Sequence, residues 1–75
     1  MVTIHRIGRF KVQLYSDDHV PPHCHIVGPD FEAVVRISDL TILRGERHRR
    51  ELGPALEWVG EHSAELIELW ASMNE

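Results

Sequence analysis

Nine consecutive residues, Asp17-Asp18-His19-Val20-Pro21-Pro22-His23-Cys24-His25, gather side chains that can bind a metal, move a proton or hold a phosphate. The stretch holds half of the chain's six histidines, half of its four prolines and its single cysteine. Three chemistries suit it. The first is a metal centre. In an extended segment His23 and His25 point to one face with Cα atoms about 6.5–7 Å apart, so both imidazoles can lean onto one ion. His19 or Asp17, across the Pro-Pro link, would add a third ligand and leave a position open for water. Zinc or nickel suits imidazole ligands. Cys24 points to the opposite face and is expected to be a buried small hydrophobe.

The second chemistry is metal-free acid–base cleavage of RNA. Imidazole exchanges protons near neutral pH, so His19, His23 and His25 are candidates for base and acid. Arg36 shares the His23/His25 face if the strand register places it there. Arg44, Arg47, Arg49 and Arg50, with His48 among them, form a basic link suited to a phosphate backbone. The net charge of −4 argues against broad RNA affinity. In the third reading these histidines are surface strand residues and loop anchors beside a stiff turn. The chain is then a non-catalytic interaction module, whose sheet edges or whose Trp58, His62 and Leu69 meet a partner protein or a second copy.

The elements that must position these groups are legible in the patterning. Thr3 to Ile7 reads as a short strand or an extended arm. Phe10 to Tyr15 alternates strictly, with Phe10, Val12 and Leu14 on one face and Lys11, Gln13 and Tyr15 on the other, a half-buried strand. Pro21-Pro22 lacks backbone donors and fixes an extended approach to His23. His23 to Val27 and Phe31 to Ile37 flank the turn residues Gly28-Pro29-Asp30 and predict a hairpin from about Pro22 to Ile37. Ser38-Asp39 breaks the pattern, and Thr41 to Leu43 is compatible with a strand or a packed loop. Leu52 to Met73 carries an apolar stripe at about 100° per residue: Leu52, Leu56, Val59, Ser63, Leu66, Trp70 and Met73. Glu57, Glu61, Glu65 and Glu68 lie opposite. Pro54 is harmless only in a first turn, so regular helix is expected to start between Arg50 and Gly53. The expected architecture over residues 1–75 is a single α+β domain. An antiparallel sheet of three to four strands is covered on one face by one long amphipathic C-terminal helix.

Composition narrows the setting. A chain of 75 residues buries a marginal core. One cysteine closes no internal disulfide, which fits a reducing cytoplasm. No apolar run approaches a membrane span, and the first residues do not read as a signal peptide. Residues 1–50 carry all eight Lys and Arg against six Asp and Glu, a balance of +2, and residues 51–75 carry six Glu and no cation, a balance of −6. One end can meet an anion and the other a basic partner.

Taken together, Asp18-His19-Val20-Pro21-Pro22-His23-Cys24-His25, the hairpin, the Arg-rich link with Arg50-Glu51-Leu52 and the helix reaching Trp70 resemble the domain of unknown function 4160 family of small bacterial proteins. The resemblance spans nearly the whole chain. Family members often stand beside a second small protein in an arrangement like a toxin–antitoxin pair. It therefore implies a candidate toxin that pairs with a cognate protein from a neighbouring gene, and it fixes neither substrate nor chemistry. Cys24 stands where the family usually has an aliphatic residue, His48 where a Ser often caps the helix, and Gly53-Pro54 where ordinary helix formers stand.

Overall fold

The computed structural model describes residues 2–16 and 20–74. Five strands follow one another, β1 (Val2–Ile7), β2 (Phe10–Leu14), β3 (His23–Val27), β4 (Glu32–Arg36) and β5 (Ile42–Arg44). A single 3-10 turn (Glu46–His48) leads to two helices, α1 (Gly53–Glu61) and α2 (Ser63–Met73). The strands lie in the sheet in chain order, each antiparallel to the next. The architecture is α+β as expected, but the sheet has five strands instead of three to four, and the single long helix is two helices.

Each difference has a local cause. Residues 3–7 are a true strand because the Gly8-Arg9 turn returns the chain directly, pairing Ile7 with Phe10 and Arg6 with Lys11. Ser38-Asp39 interrupts the strand pattern without ending the sheet. The Asp39 carboxylate accepts the Thr41 N–H at 3.0 Å, and the Arg36 N–H donates to the Thr41 carbonyl at 2.8 Å. This side-chain turn folds the chain straight back, and Ile42 pairs with Val35. The helix breaks at His62, whose backbone sits at φ −116° and ψ 16°. Its ring Nδ1 donates to the Trp58 carbonyl at 2.9 Å, the same oxygen that its backbone N–H approaches at 3.1 Å. A side chain that shares a main-chain acceptor with the backbone N–H competes with regular continuation of the helix. The apolar stripe survives the break, since Ala55 and Val59 before it and Leu66 and Trp70 after it are all buried. Regular helix starts at Gly53, with Pro54 in its first turn.

Strand alternation sorts the sheet into two faces. Val12, Leu14, Cys24, Ile26, Ala33, Val35 and Ile42 pack with Leu52, Ala55, Val59, Leu66 and Trp70 of the helical layer into one core. The opposite face carries Lys11, Gln13, His23, His25, Val27, Glu32, Val34 and Arg36, and no described helix covers it. No helix among the described residues is long and apolar enough to cross a membrane.

Candidate functional site

The uncovered face is where the chemistry-bearing stretch delivers its histidines. β3 alternates half-buried and buried residues along its length, so Cys24 and Ile26 enter the core while His23, His25 and Val27 stay on the other side. Cys24 is fully buried, and burial pushes its thiol up to about 12. It is a core residue and not a ligand-bearing one. Proline at 22 anchors the entry to the strand: the Ile37 N–H donates to the Pro22 carbonyl at 3.1 Å, which closes the hairpin's open end.

Register fixes the neighbours. His23 lies opposite Arg36, and His25 lies between Gln13 on β2 and Val34 on β4. The two imidazoles are 5.4 Å apart between ring centres and inclined by 53°. His25 Nδ1 donates to the Glu32 carboxylate at 2.7 Å, and Tyr15 stacks on its ring at 4.2 Å. Its side chain is only 15% exposed, and its Nε2 is buried. His23 Nδ1 approaches the Pro21 carbonyl at 2.9 Å. A carbonyl only accepts, so Nδ1 carries the proton and Nε2 is the basic nitrogen of the neutral ring. The indole of Trp70 lies 6.4 Å from the His23 ring. Its N–H is buried with no hydrogen-bond partner among the described residues.

Arg36 does face His23, but it is already committed. Its guanidinium binds both Asp39 carboxylate oxygens, at 3.0 and 2.8 Å, and the Thr41 hydroxyl at 3.1 Å. These hydrogen bonds hold the Asp39 carboxyl well below the usual carboxylate range and raise the Arg36 guanidinium. The basic link is dispersed. Arg44 sits on β5 opposite Val34, two strands from His25 in the same cross-strand row. Arg47, Arg49 and Arg50 lie on the 3-10 turn and the link after it, and Arg49 is held in a fork by Glu46 at 2.8 and 3.0 Å. That pair raises the Arg49 guanidinium and offsets the positive charge ahead of α1.

Of the sequence-derived site, then, the structure brings together His23 and His25. His19 and Asp17 lie outside the described residues. Among the described residues, no group of three or more His, Cys, Asp or Glu side chains comes together around a common point. Two neighbours of His25 escaped sequence reasoning, Glu32 and Tyr15. Glu32 had a usable signal: with His23 opposite Arg36, residue 32 falls on the face of His25, one diagonal step away. Alternation put Tyr15 on the Lys11/Gln13 side of its own segment, but stacking on His25 follows only from the β2–β3 register.

The family model described as Domain of unknown function (DUF4160) matches residues 10–71, from the start of β2 almost to the end of α2. No curated protein and no solved structure gives a significant match.

Proposed function

The chain belongs to the DUF4160 family, and from that premise we propose that it is the effector, a candidate toxin, of a two-protein bacterial module, cleaving RNA in the cytoplasm from the uncovered face of its sheet. The cognate partner is a small protein from a neighbouring gene. The observation that carries the chemistry is the His23 imidazole, whose Nδ1–H is fixed on the Pro21 carbonyl at 2.9 Å beside the His25–Glu32 pair. A basic nitrogen held in a set orientation next to a carboxylate-bound imidazole is what general acid–base catalysis asks of two histidines.

In this scheme His23 Nε2 takes the proton from a ribose 2′-hydroxyl. The 2′-oxygen attacks phosphorus, the P–O5′ bond breaks, and the 5′-oxygen leaves as a hydroxyl after receiving a proton from an imidazolium. His19, the third imidazole of the stretch, takes that acid role. The products are a 2′,3′-cyclic phosphate and a 5′-hydroxyl end. His25 is a positioning residue: tied to Glu32 and stacked under Tyr15, it sets the ring beside it. Arg44 and the exposed Arg47 and Arg50 are the cations available to the RNA backbone.

The test is labelled single-stranded RNA incubated with tag-free protein, with chelator and with added zinc or nickel. Cleavage in chelator, leaving cyclic phosphate ends and falling by about a hundredfold or more in His23→Ala, is the expected result. Cleavage that requires zinc or nickel would replace this scheme with a metal centre on the same histidines. RNA left intact under all conditions, with no growth arrest on expression, would refute an RNA-cleaving toxin. A second reading draws on the burial of His25 Nε2. In it, His25 is a structural anchor and the chain is a non-catalytic interaction module. His25→Ala would then lower the melting temperature and change partner binding, with no RNA turnover to lose.

A further inference from the structure

At the end of the sheet away from the entry to β3, the β1–β2 turn, the β3–β4 turn and the start of α1 enclose a cavity of about 240 Å3. Its walls are Ile7, Phe10, Pro29, Phe31 and Pro54, with Arg9, Asp30 and Glu51 around them. The apolar side is held in place. The Phe10 ring lies over Gly28 so closely that a Cβ there would meet it at 2.7 Å. Phe10 packs on Phe31 at 5.7 Å between ring centres, and His48 stacks on the other ring at 3.6 Å. A second hollow of about 310 Å3, lined by Arg9, Lys11, Val27, Gly28 and Pro29, shares Arg9 and Pro29 with the first. The groove therefore runs from an apolar chamber onto a cationic slope.

Among the described residues, the slope itself carries only cationic charge, while Asp30 and Glu51 lie at the cavity beside Arg9. Residues 1–16 contain Arg6, Arg9 and Lys11 and no carboxylate. Arg6 lies opposite Lys11 across the β1–β2 ladder, and none of the three cations forms an ion pair with a described residue. Beside them β1 is the edge of the sheet, six residues long, with Val2, Thr3, His5 and Arg6 exposed. An uncovered edge strand offers main-chain hydrogen bonds to an extended segment, and side-chain pockets at its end give such pairing its specificity.

We propose that the β1 edge and the groove beyond it dock an extended acidic segment of a partner protein, with one large apolar side chain of that segment in the Ile7/Phe10/Phe31/Pro54 cavity. Carboxylates of the segment meet Arg6, Arg9 and Lys11. Asp30 and Glu51 at the cavity repel a continuous polyanion, so spaced carboxylates around an apolar anchor fit better than a nucleic acid backbone. The proposal takes up the two-protein part of the function above, and it places the partner at the β1 edge and the far end of the sheet, where Lys11 and Val27 belong to the same face as His23 and His25 but neither histidine lines the groove.

The probe is a fluorescein-labelled peptide of about eight residues alternating Glu with Val around a central Phe, read by fluorescence anisotropy against the full chain. Controls are the same peptide with Lys in place of Glu and a single-stranded RNA of similar length. The expected result is saturable binding of the acidic peptide only, weakened about tenfold or more in Arg9→Glu/Lys11→Glu, where like charges face each other. Arg6→Glu serves as the second variant, and far-ultraviolet circular dichroism confirms that each protein is folded. Absence of acidic-peptide binding, equal binding by wild type and both folded variants, equal binding of the Lys peptide, or RNA binding as tightly at the same cations would each overturn it. The assay needs no catalysis, so loss of the RNA-cleavage reading leaves its outcome readable.

Discussion

Cys24 offers a quantitative test of the face assignment, because its ionisation should couple directly to folding. The thiol is fully buried on the core face of β3, and burial raises it from 9.0 to about 12. The folded state thus holds its thiol proton where the unfolded chain has lost it. For a group whose native value is raised, the associated stability is fully present below the unfolded value and is lost as pH rises above it. The window opens near pH 9, and within it stability should fall by about 1.4 kcal/mol per pH unit from this group alone. Over the whole interval, from 9.0 to about 12, the ceiling is about 4 kcal/mol. Other groups titrate in the same range, so the quantity to measure is the difference between wild type and Cys24→Ala. Urea unfolding at pH 8, 9, 10 and about 10.5 supplies it. The variant loses the sulfur's packing at every pH, but relative to wild type it should gain back about 1.4 kcal/mol by pH 10. A thiol-specific reagent gives an independent reading. At pH 8 a thiol at about 12 has about a thousandfold less thiolate than one at 9.0, so native protein should label at least that much more slowly than protein in denaturant. Identical pH dependence in the two proteins, or equally fast labelling of the native state, would refute the placement. Protection of the thiol by zinc would do the same, since it would put Cys24 among ligands.

Further outcomes follow from other positions. Gly45 has φ +91° and an added Cβ would lie 3.0 Å from the Ala33 Cβ, so Gly45→Ala should destabilise by about 1–3 kcal/mol in chemical unfolding. Leu66 is 2% exposed in the core, and Leu66→Ala should cost about 2–5 kcal/mol out of a total of roughly 4–11 for a chain of this length, visible as a large drop in the urea midpoint. Asp39 is held below its usual range by Arg36 and Thr41, so its stabilising effect is present above pH about 4 and fades as pH falls through the lowered native value. Asp39→Asn should therefore melt earlier than wild type at pH 7, and the gap should narrow in acid.

How much of this was legible in the sequence depended on whether a residue's partner was near it in the chain. Alternation in 10–15 and 23–27 placed Val12, Leu14, Cys24 and Ile26 in the core and His23 and His25 on the other face, because a strand's faces depend on its own period alone. Arg36 could be put beside His23 only on condition of the register, which the β3–β4 pairing supplies. By contrast, whether residues 3–7 were a strand or an arm depended on pairing with β2, which a short exposed segment does not announce. At 41–43 the ambiguity came from Asp39: a turn-forming side chain looks in sequence like the end of a sheet, yet here it makes the corner between β4 and β5. The helix break at His62 was hidden because the apolar stripe runs through it undisturbed, and a histidine gives no warning that its ring will bond the Trp58 carbonyl. At the candidate site, spacing found the two histidines, whereas the contacts of His25 with Glu32 and Tyr15 come from neighbouring segments of the sheet. The Arg36 side chain reached the right face but turned to Asp39, a choice of rotamer that spacing does not encode.

The layering of Trp58 has an optical consequence. Its indole lies between the imidazoles of His5, at 4.4 Å, and His62, at 4.2 Å, so a residue of β1 and the residue between the helices close on one α1 side chain. Indole emission responds to whatever stacks on it. The chain's other tryptophan, Trp70, is 95% buried near the far end of α2. The two fluorophores therefore view different events. Light from Trp58 follows whether the first strand lies against the helical layer, while light from Trp70 follows the interior. Replacing either one with Phe leaves a single-colour recorder of the other, able to tell separation of the N-terminal strand from loss of the whole fold.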